Sequence, residues 1–385
     1  MKRICLWVLV AALTLVLALP AAAATEMEIN GVAAVLMDVA TGQLLYEKNA
    51  HQSLPPASVT KVMTMLLIME ALDGGVLRFE DTVTASEAAA AKGGSQVYLK
   101  VGETMTVREM LKAVAVSSAN DCACALAEKI AGSEVAFVEM MNQRAQELGM
   151  QDTHFVNCTG LDDAPEAAEH KTSAYDIAVM SRALMLDHPG IREFTTIWMD
   201  SVRDGNFSLA NTNKLIRYYP GATGLKTGYT SKAGHCLSAT AQRDGLELIA
   251  VVLGADSSQA RFEDCKRLLD HGFATYTLID PQPGQELSVP VRLGKEKTVP
   301  VVSAGGEKLL ILKSQIKLIS IQTALDPEVK APVSKGQRLG TLTVKAADEV
   351  LLQVPLVAGQ AVAKQSVWDI FCRLLGQICM AKADF

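Results

Sequence analysis

Between residues 31 and 255 the chain changes its hydrophobic period twice, and this limits its fold more than any other feature. GVAAVLMDVATGQLLYEKNA at 31–50 reads as two strands joined by a turn at Thr41-Gly42. LPPASVTKVMTMLLIMEALDGG then reads as a helix, entered through two prolines and ended by Gly74-Gly75. TVREMLKAVAV opens with Thr106 and Glu109 at capping-box spacing and runs into SSAN. Further helices follow to Gly132 and over 133–148, and Ser173 with Asp176 marks another helix start. GLKTGYTSKAGHCLSATAQRDGLELIAVVLGA returns to three strand-like runs, the last two joined as a hairpin by RDG at 243–245. SSQARFEDCKRLLDHGFATY is helical again. Strands at both ends with helices between predict an α+β domain whose terminal strands meet in one sheet.

Segments outside this region extend the plan. Lys2 and Arg3, an apolar run from Ile4 to Leu19, Pro20 and Ala22-Ala23-Ala24 form a signal-peptide pattern over 1–24. The alternative is an uncleaved anchor, for which the run is short. Cys5 opens the apolar run and does not end it, unlike a lipoprotein cysteine. A catalytic-size domain over 25–280 would follow. From about Pro281 apolar and polar residues alternate between glycines and prolines, which predicts a small all-β domain over 281–358. Residues 359–385 end in a separately amphipathic segment. Val367, Phe371, Leu374 and Ile378 fall on one stripe, with Trp368 and Leu375 beside it. It reads as a helix lying on a membrane surface or as one packed on the β domain.

Composition excludes several function classes. Without Lys2 and Arg3 the chain has 34 basic against 42 acidic side chains, a net charge of −8, which does not suit a nucleic-acid partner. Six histidines lie scattered with no metal-ligand spacing, so no metal and no cofactor are expected. Seven cysteines would remain after signal removal, an odd number with no close-set framework. Cys122 and Cys124 are two apart in a helical context and point to different faces.

Three short motifs carry the chemistry. Ser58 and Lys61 are three apart at a helix start, so both side chains reach one cleft. The helix dipole favours oxyanion charge there, and a neutral lysine can take the serine proton. The same residues also suit an ordinary helix N-terminus. Ser314 and Lys317 repeat the spacing in LLILKSQIKLISIQ. That segment reads as a strand, where the two would face apart. Ser118-Ala119-Asn120 sits in a break between helices, either facing a cleft or capping the second helix. Lys226-Thr227-Gly228 precedes a strand-rich run, where the glycine lets a substrate backbone approach closely or simply marks a turn.

S-x-x-K, S-x-N and K-T-G in this order form the signature set of penicillin-binding proteins and class A β-lactamases. Nearly the whole chain resembles the low-molecular-mass penicillin-binding proteins that act as serine-type D-alanyl-D-alanine carboxypeptidases. The resemblance implies a transpeptidase-like antiparallel sheet flanked by helices, the all-β domain and the terminal helix. It implies that Ser58 attacks the carbonyl between the two terminal D-alanines of a peptidoglycan stem peptide, with Lys61 as base. Lys226 would help lower the Lys61 pKa. Ser118 and Lys226 would relay the proton to the leaving D-alanine, and Asn120 would hold the substrate amide. Thr227 and Arg261 would bind the terminal carboxylate. The N–H groups of Ser58 and Tyr229 would form the oxyanion hole, with Gly228 among the substrate-binding residues. β-Lactam antibiotics would inhibit, and the outer face of the cytoplasmic membrane would hold the terminal helix. Tyr229 replaces the histidine or other polar residue of some relatives.

Other readings of these motifs are a β-lactamase, a transpeptidase or endopeptidase, and a non-catalytic wall-binding protein. Glu166 and Glu169 lack the E-x-x-L-N context of a class A deacylation base. Retention of Ser58 and Lys61 argues against an inactive binder.

Overall fold

The computed structural model describes residues 27–283, 285–305 and 308–380. The signal-peptide pattern over 1–24 lies outside these residues. The strand Ala33–Asp38 pairs antiparallel with Leu246–Ala255, joining the two ends of the catalytic part as expected. The full sheet runs Leu44–Lys48, Ala33–Asp38, Leu246–Ala255, Gly234–Arg243, Ala222–Thr230, all neighbours antiparallel. Asp244 and Gly245 take positive φ in the two-residue hairpin turn between Gly234–Arg243 and Leu246–Ala255.

Alternation along the central strands supplies two cores. Ala33, Val35, Met37, Ile249, Val251 and Leu253 face the large helical layer. Leu36, Leu248 and Val252 face the helix Ser258–Thr275, which contributes Phe262, Leu268 and Leu269. Because both faces are covered, these strands read as apolar runs without the polar alternation of a half-exposed sheet.

The helix Lys61–Asp73 lies inside the helical layer and is buried from Lys61 through Met69. Its apolar character all round fits that position. Thr106 and Glu109 form the expected capping box at Val107–Ser117. Ser173 caps Ala174–Asp187, but the Asp176 carboxylate turns away from the cap to accept from Asp152 N and Thr153 Oγ1.

The all-β part has its own core of Val289, Val299, Leu342, Val344 and Leu356. Its six-stranded sheet runs from Ile319–Leu325 through Arg338–Ala346, Glu349–Ala358, Thr298–Ser303 and Leu287–Arg292 to Val329–Lys330. Tyr276–Ile279 pairs separately with Leu309–Leu312.

One expectation is corrected here. Lys313–Leu318 is a 3-10 helix and not part of a strand. Residues three apart in a 3-10 helix stand above one another, so opposite strand faces do not separate Ser314 from Lys317. Both side chains are exposed at the surface, away from any cleft around Ser58.

Val367–Met380 is helical, and Ser366 and Asp369 cap each other at its start. Val367, Trp368, Phe371 and Leu375 are exposed. The side chains of Leu374 and Ile378 lie outside the described ones. Among the described residues, no helix is long and apolar enough to cross a membrane.

Candidate active site

Ser58 does not sit in the first turn of the long helix. It lies in a separate 3-10 turn, Ala57–Thr60, that leads into Lys61. Pro55 and Pro56 bring the chain in, and Ala57 takes a left-handed φ of 50°. For a residue with a Cβ this costs about 1–2 kcal/mol, a strain of the kind that collects at functional turns. Two glycines from distant segments close on this turn. A Cβ on Gly160, itself at φ +81°, would lie 1.9 Å from Ala57 O. One on Gly228 would lie 2.7 Å from Pro56 O and 3.1 Å from Ser58 N. Gly228 therefore lies directly against the Ser58 turn, a close approach by the protein's own backbone where the sequence suggests one by a substrate.

Lys61 is fully buried, and its Nζ donates to Ser58 Oγ at 2.9 Å and to Thr159 O at 2.7 Å. Burial drives its pKa down to about 7, against an opposing pull from Cys158 and Asp121. Burial, and not Lys226, is thus the leading cause, which corrects the sequence-based attribution. The repulsion shows on the other partner. Lys226 is held well below its ordinary value by burial first, then by the charges of Lys61 and Arg261. Its Nζ donates to Thr227 O at 2.8 Å.

The S-x-N turn faces the same place. Ser118, at φ 67°, ends the helix Val107–Ser117, and Asn120 begins Asn120–Ala131. Neither supplies a side-chain cap. Asn120 Nδ2 donates to Gly93 O at 2.7 Å. Ser118 Oγ and Asn120 Oδ1 are buried without a hydrogen-bond partner in the described protein. Each such group costs about 1–3 kcal/mol, which suits atoms that meet a substrate. Thr212 ties this turn to the K-T-G strand. Its N–H donates to Val116 O, and its Oγ1 accepts from Thr227 Oγ1 at 2.7 Å.

Arg261 reaches the site from behind the sheet. Ser257 caps its helix, so its register is firm. Nη1 donates to Gly228 O at 2.7 Å and to Cys236 O at 3.2 Å, while Nε has no partner. The guanidinium therefore braces the end of K-T-G as well as placing positive charge behind it. Tyr229 is exposed at the rim and stacks on His235 with centroids 4.4 Å apart. Glu166 and Glu169 are exposed.

Thr159, Gly160, His170 and Thr212 belong to this constellation and were missed in the sequence. They lie on connections between elements, where no periodicity marks them. The left-handed glycine in NCTGLDD was the one available signal. Six described cysteines are free thiols, five of them buried. The described residues include no cluster of His, Cys, Asp or Glu that could hold a metal ion.

Comparison with known proteins agrees with this geometry. Residues 20–257 match the family model "D-alanyl-D-alanine carboxypeptidase", and residues 273–364 match "Penicillin-binding protein 5, C-terminal domain". The chain is 40% identical over 358 residues to D-alanyl-D-alanine carboxypeptidase DacF of Bacillus subtilis, covering 91% of each chain. It resembles penicillin binding protein 5 from Haemophilus influenzae with a TM-score of 0.74 and 29% identity, over 88% of this chain and 99% of that one. Penicillin-binding protein D2 from Listeria monocytogenes, solved in its ampicillin-bound form, matches 64% of this chain and 99% of its own at 32% identity and a TM-score of 0.59. With two family models matched in sequence, K-T-G seated on the Ser58 turn and S-x-N tied to it through Thr212, the chain belongs to the D-alanyl-D-alanine carboxypeptidase family.

Proposed function

We propose that this chain removes the terminal D-alanine from peptidoglycan stem pentapeptides through an acyl-enzyme on Ser58. The observation that carries the proposal is the fully buried Lys61 with its Nζ 2.9 Å from Ser58 Oγ and its pKa near 7. A lysine that is about half neutral at pH 7 accepts the serine proton as Oγ attacks the carbonyl carbon. The N–H groups of Ser58 and Tyr229 hold the oxyanion. Ser118 and Lys226 return a proton to the leaving amine as the peptide C–N bond breaks. Asn120 holds the substrate amide, and Thr227 receives the terminal carboxylate in the positive field of Arg261. Water then cleaves the ester. A β-lactam presents a comparable carbonyl to Ser58 and stays attached, in keeping with the ampicillin-bound relative.

The chain acts outside the cytoplasm, exported by residues 1–24 and held on the outer face of the membrane by its terminal helix. The exposed Val367, Trp368, Phe371 and Leu375 support this placement. The test is release of D-alanine from a pentapeptide, with and without an amine acceptor. Free D-alanine with an unmodified tetrapeptide product supports the carboxypeptidase. Predominant transfer to the amine would make it a transpeptidase, and rapid turnover of penicillin a β-lactamase.

A further inference from the structure

A chain of three hydrogen bonds ends on the residue before Ser58. Val156 N–H donates to His170 Nδ1 at 3.1 Å. His170 Nε2 lies 2.7 Å from Thr60 Oγ1, and Thr60 Oγ1 lies 2.8 Å from Ala57 O. A carbonyl only accepts, so the single hydroxyl proton of Thr60 goes to Ala57 O. His170 Nε2 must then be the donor to Thr60, and Nδ1, facing an amide N–H, must be the acceptor. Donor counting thus leaves one neutral tautomer. His170 is 4% exposed, and the edge of its ring meets Phe155 at 5.7 Å between centroids. Burial, then the charges of His154 and Lys61, bring its pKa down to about 4, so the neutral form persists through the working range.

The far end of this chain is not ordinary core. Ala57 is left-handed, although alanine prefers the right-handed region. Its carbonyl is held between Thr60 Oγ1 and the backbone at Gly160. Released from Thr60, Ala57 would relax toward helical dihedrals. That rotation moves the Ser58 N–H and Oγ away from Gly228 and Lys61.

We propose that His170 is a positioning residue for the nucleophile: through Thr60 it fixes the Ala57 carbonyl and thereby the strained turn that aims Ser58. This rests on Ser58 as the acylated residue. His170 is buried behind Thr60, so its contribution falls on the chemical step and not on binding. Displacement of a nucleophile by about 1 Å costs on the order of a hundredfold, and partial relaxation costs less.

The experiment measures acylation of the full chain by a labelled penicillin, separating the non-covalent Kd from the first-order acylation rate. His170→Leu and Thr60→Val should each lower the rate by about tenfold or more, with Kd within about twofold. Thr60→Ser and His170→Gln, which restore the hydroxyl and the Nε2–H donor, should recover most of the rate. The double variant His170→Leu with Thr60→Val should lose little beyond either single one. Imidazole 15N shifts of His170 should show a proton on Nε2 alone. A parental acylation rate in folded Thr60→Val, an equal loss in Kd, or the opposite tautomer overturns the proposal. Should His170→Leu fail to fold, the Thr60 pair decides the matter with His170 in place. Labelling of Ser58→Ala at the parental rate would overturn the assignment of Ser58 itself, and this proposal with it. An unlabelled Ser58→Ala beside a fully active Thr60→Val overturns the positioning role alone.

Discussion

Replacing Lys61 by methionine should abolish acylation and yet stabilise the protein at pH 6. A lysine whose pKa falls from 10.5 to about 7 on folding opposes folding at every pH where the unfolded chain carries the proton. Each tenfold in proton affinity is about 1.4 kcal/mol, so the full penalty is about 5 kcal/mol. It applies below pH 7, shrinks as pH rises, and vanishes above 10.5. Methionine keeps the stem of the side chain but loses two hydrogen bonds, to Ser58 Oγ and Thr159 O. Those bonds, with the stranded carbonyl, are worth about 2–4 kcal/mol. The variant should therefore gain about 1–3 kcal/mol at pH 6. At pH 9.5 the penalty has dropped to about 1 kcal/mol, and the variant should lose about 1–3 kcal/mol instead. Urea unfolding of parent and variant at both pH values measures the difference, and relief of Lys226 from the Lys61 charge adds to the gain at the lower pH. At about 2–4 °C per kcal/mol, melting curves would show the same reversal. A difference that stays constant between pH 6 and 9.5 refutes a depressed Lys61.

Gly160→Ala places a Cβ 1.9 Å from Ala57 O at φ +81°, so it should lower the melting temperature by about 5 °C or more and slow acylation. Arg261→Ala should reduce turnover of peptides ending in a free carboxylate far more than of the corresponding esters. Equal losses on both would leave only the brace on Gly228 O and Cys236 O. Truncation after Lys364 keeps the pairing of Gly294 with Lys364 and should yield a folded enzyme that no longer sediments with vesicles; continued sedimentation would place the anchor elsewhere.

Much of this site was legible because its polar residues sit at fixed offsets inside strong apolar runs. Ser58 and Lys61 stand before VMTMLLIM, and Lys226 to Gly228 lie inside the strand Ala222–Thr230. The sheet followed from the strand-like ends, since their two-sided burial leaves few polar positions. What sequence could not show was how the Ser58 turn is held. The left-handed Ala57, the hydroxyl of Thr60 and the ring of His170 act through contacts between segments about a hundred residues apart, which no local period encodes. Lys313–Leu318 was misread for the opposite reason. Its flanks, the apolar LLIL and the alternating ISIQ, are both strands, and the strand reading was carried through the short 3-10 turn between them.

The most direct measurement is mass spectrometry of the protein after brief exposure to penicillin, followed by proteolysis. The account requires one adduct, on the peptide containing Ser58, its rate falling about tenfold per pH unit below the Lys61 pKa near 7. An adduct on another residue, or labelling of Ser58→Ala at the parental rate, would contradict it.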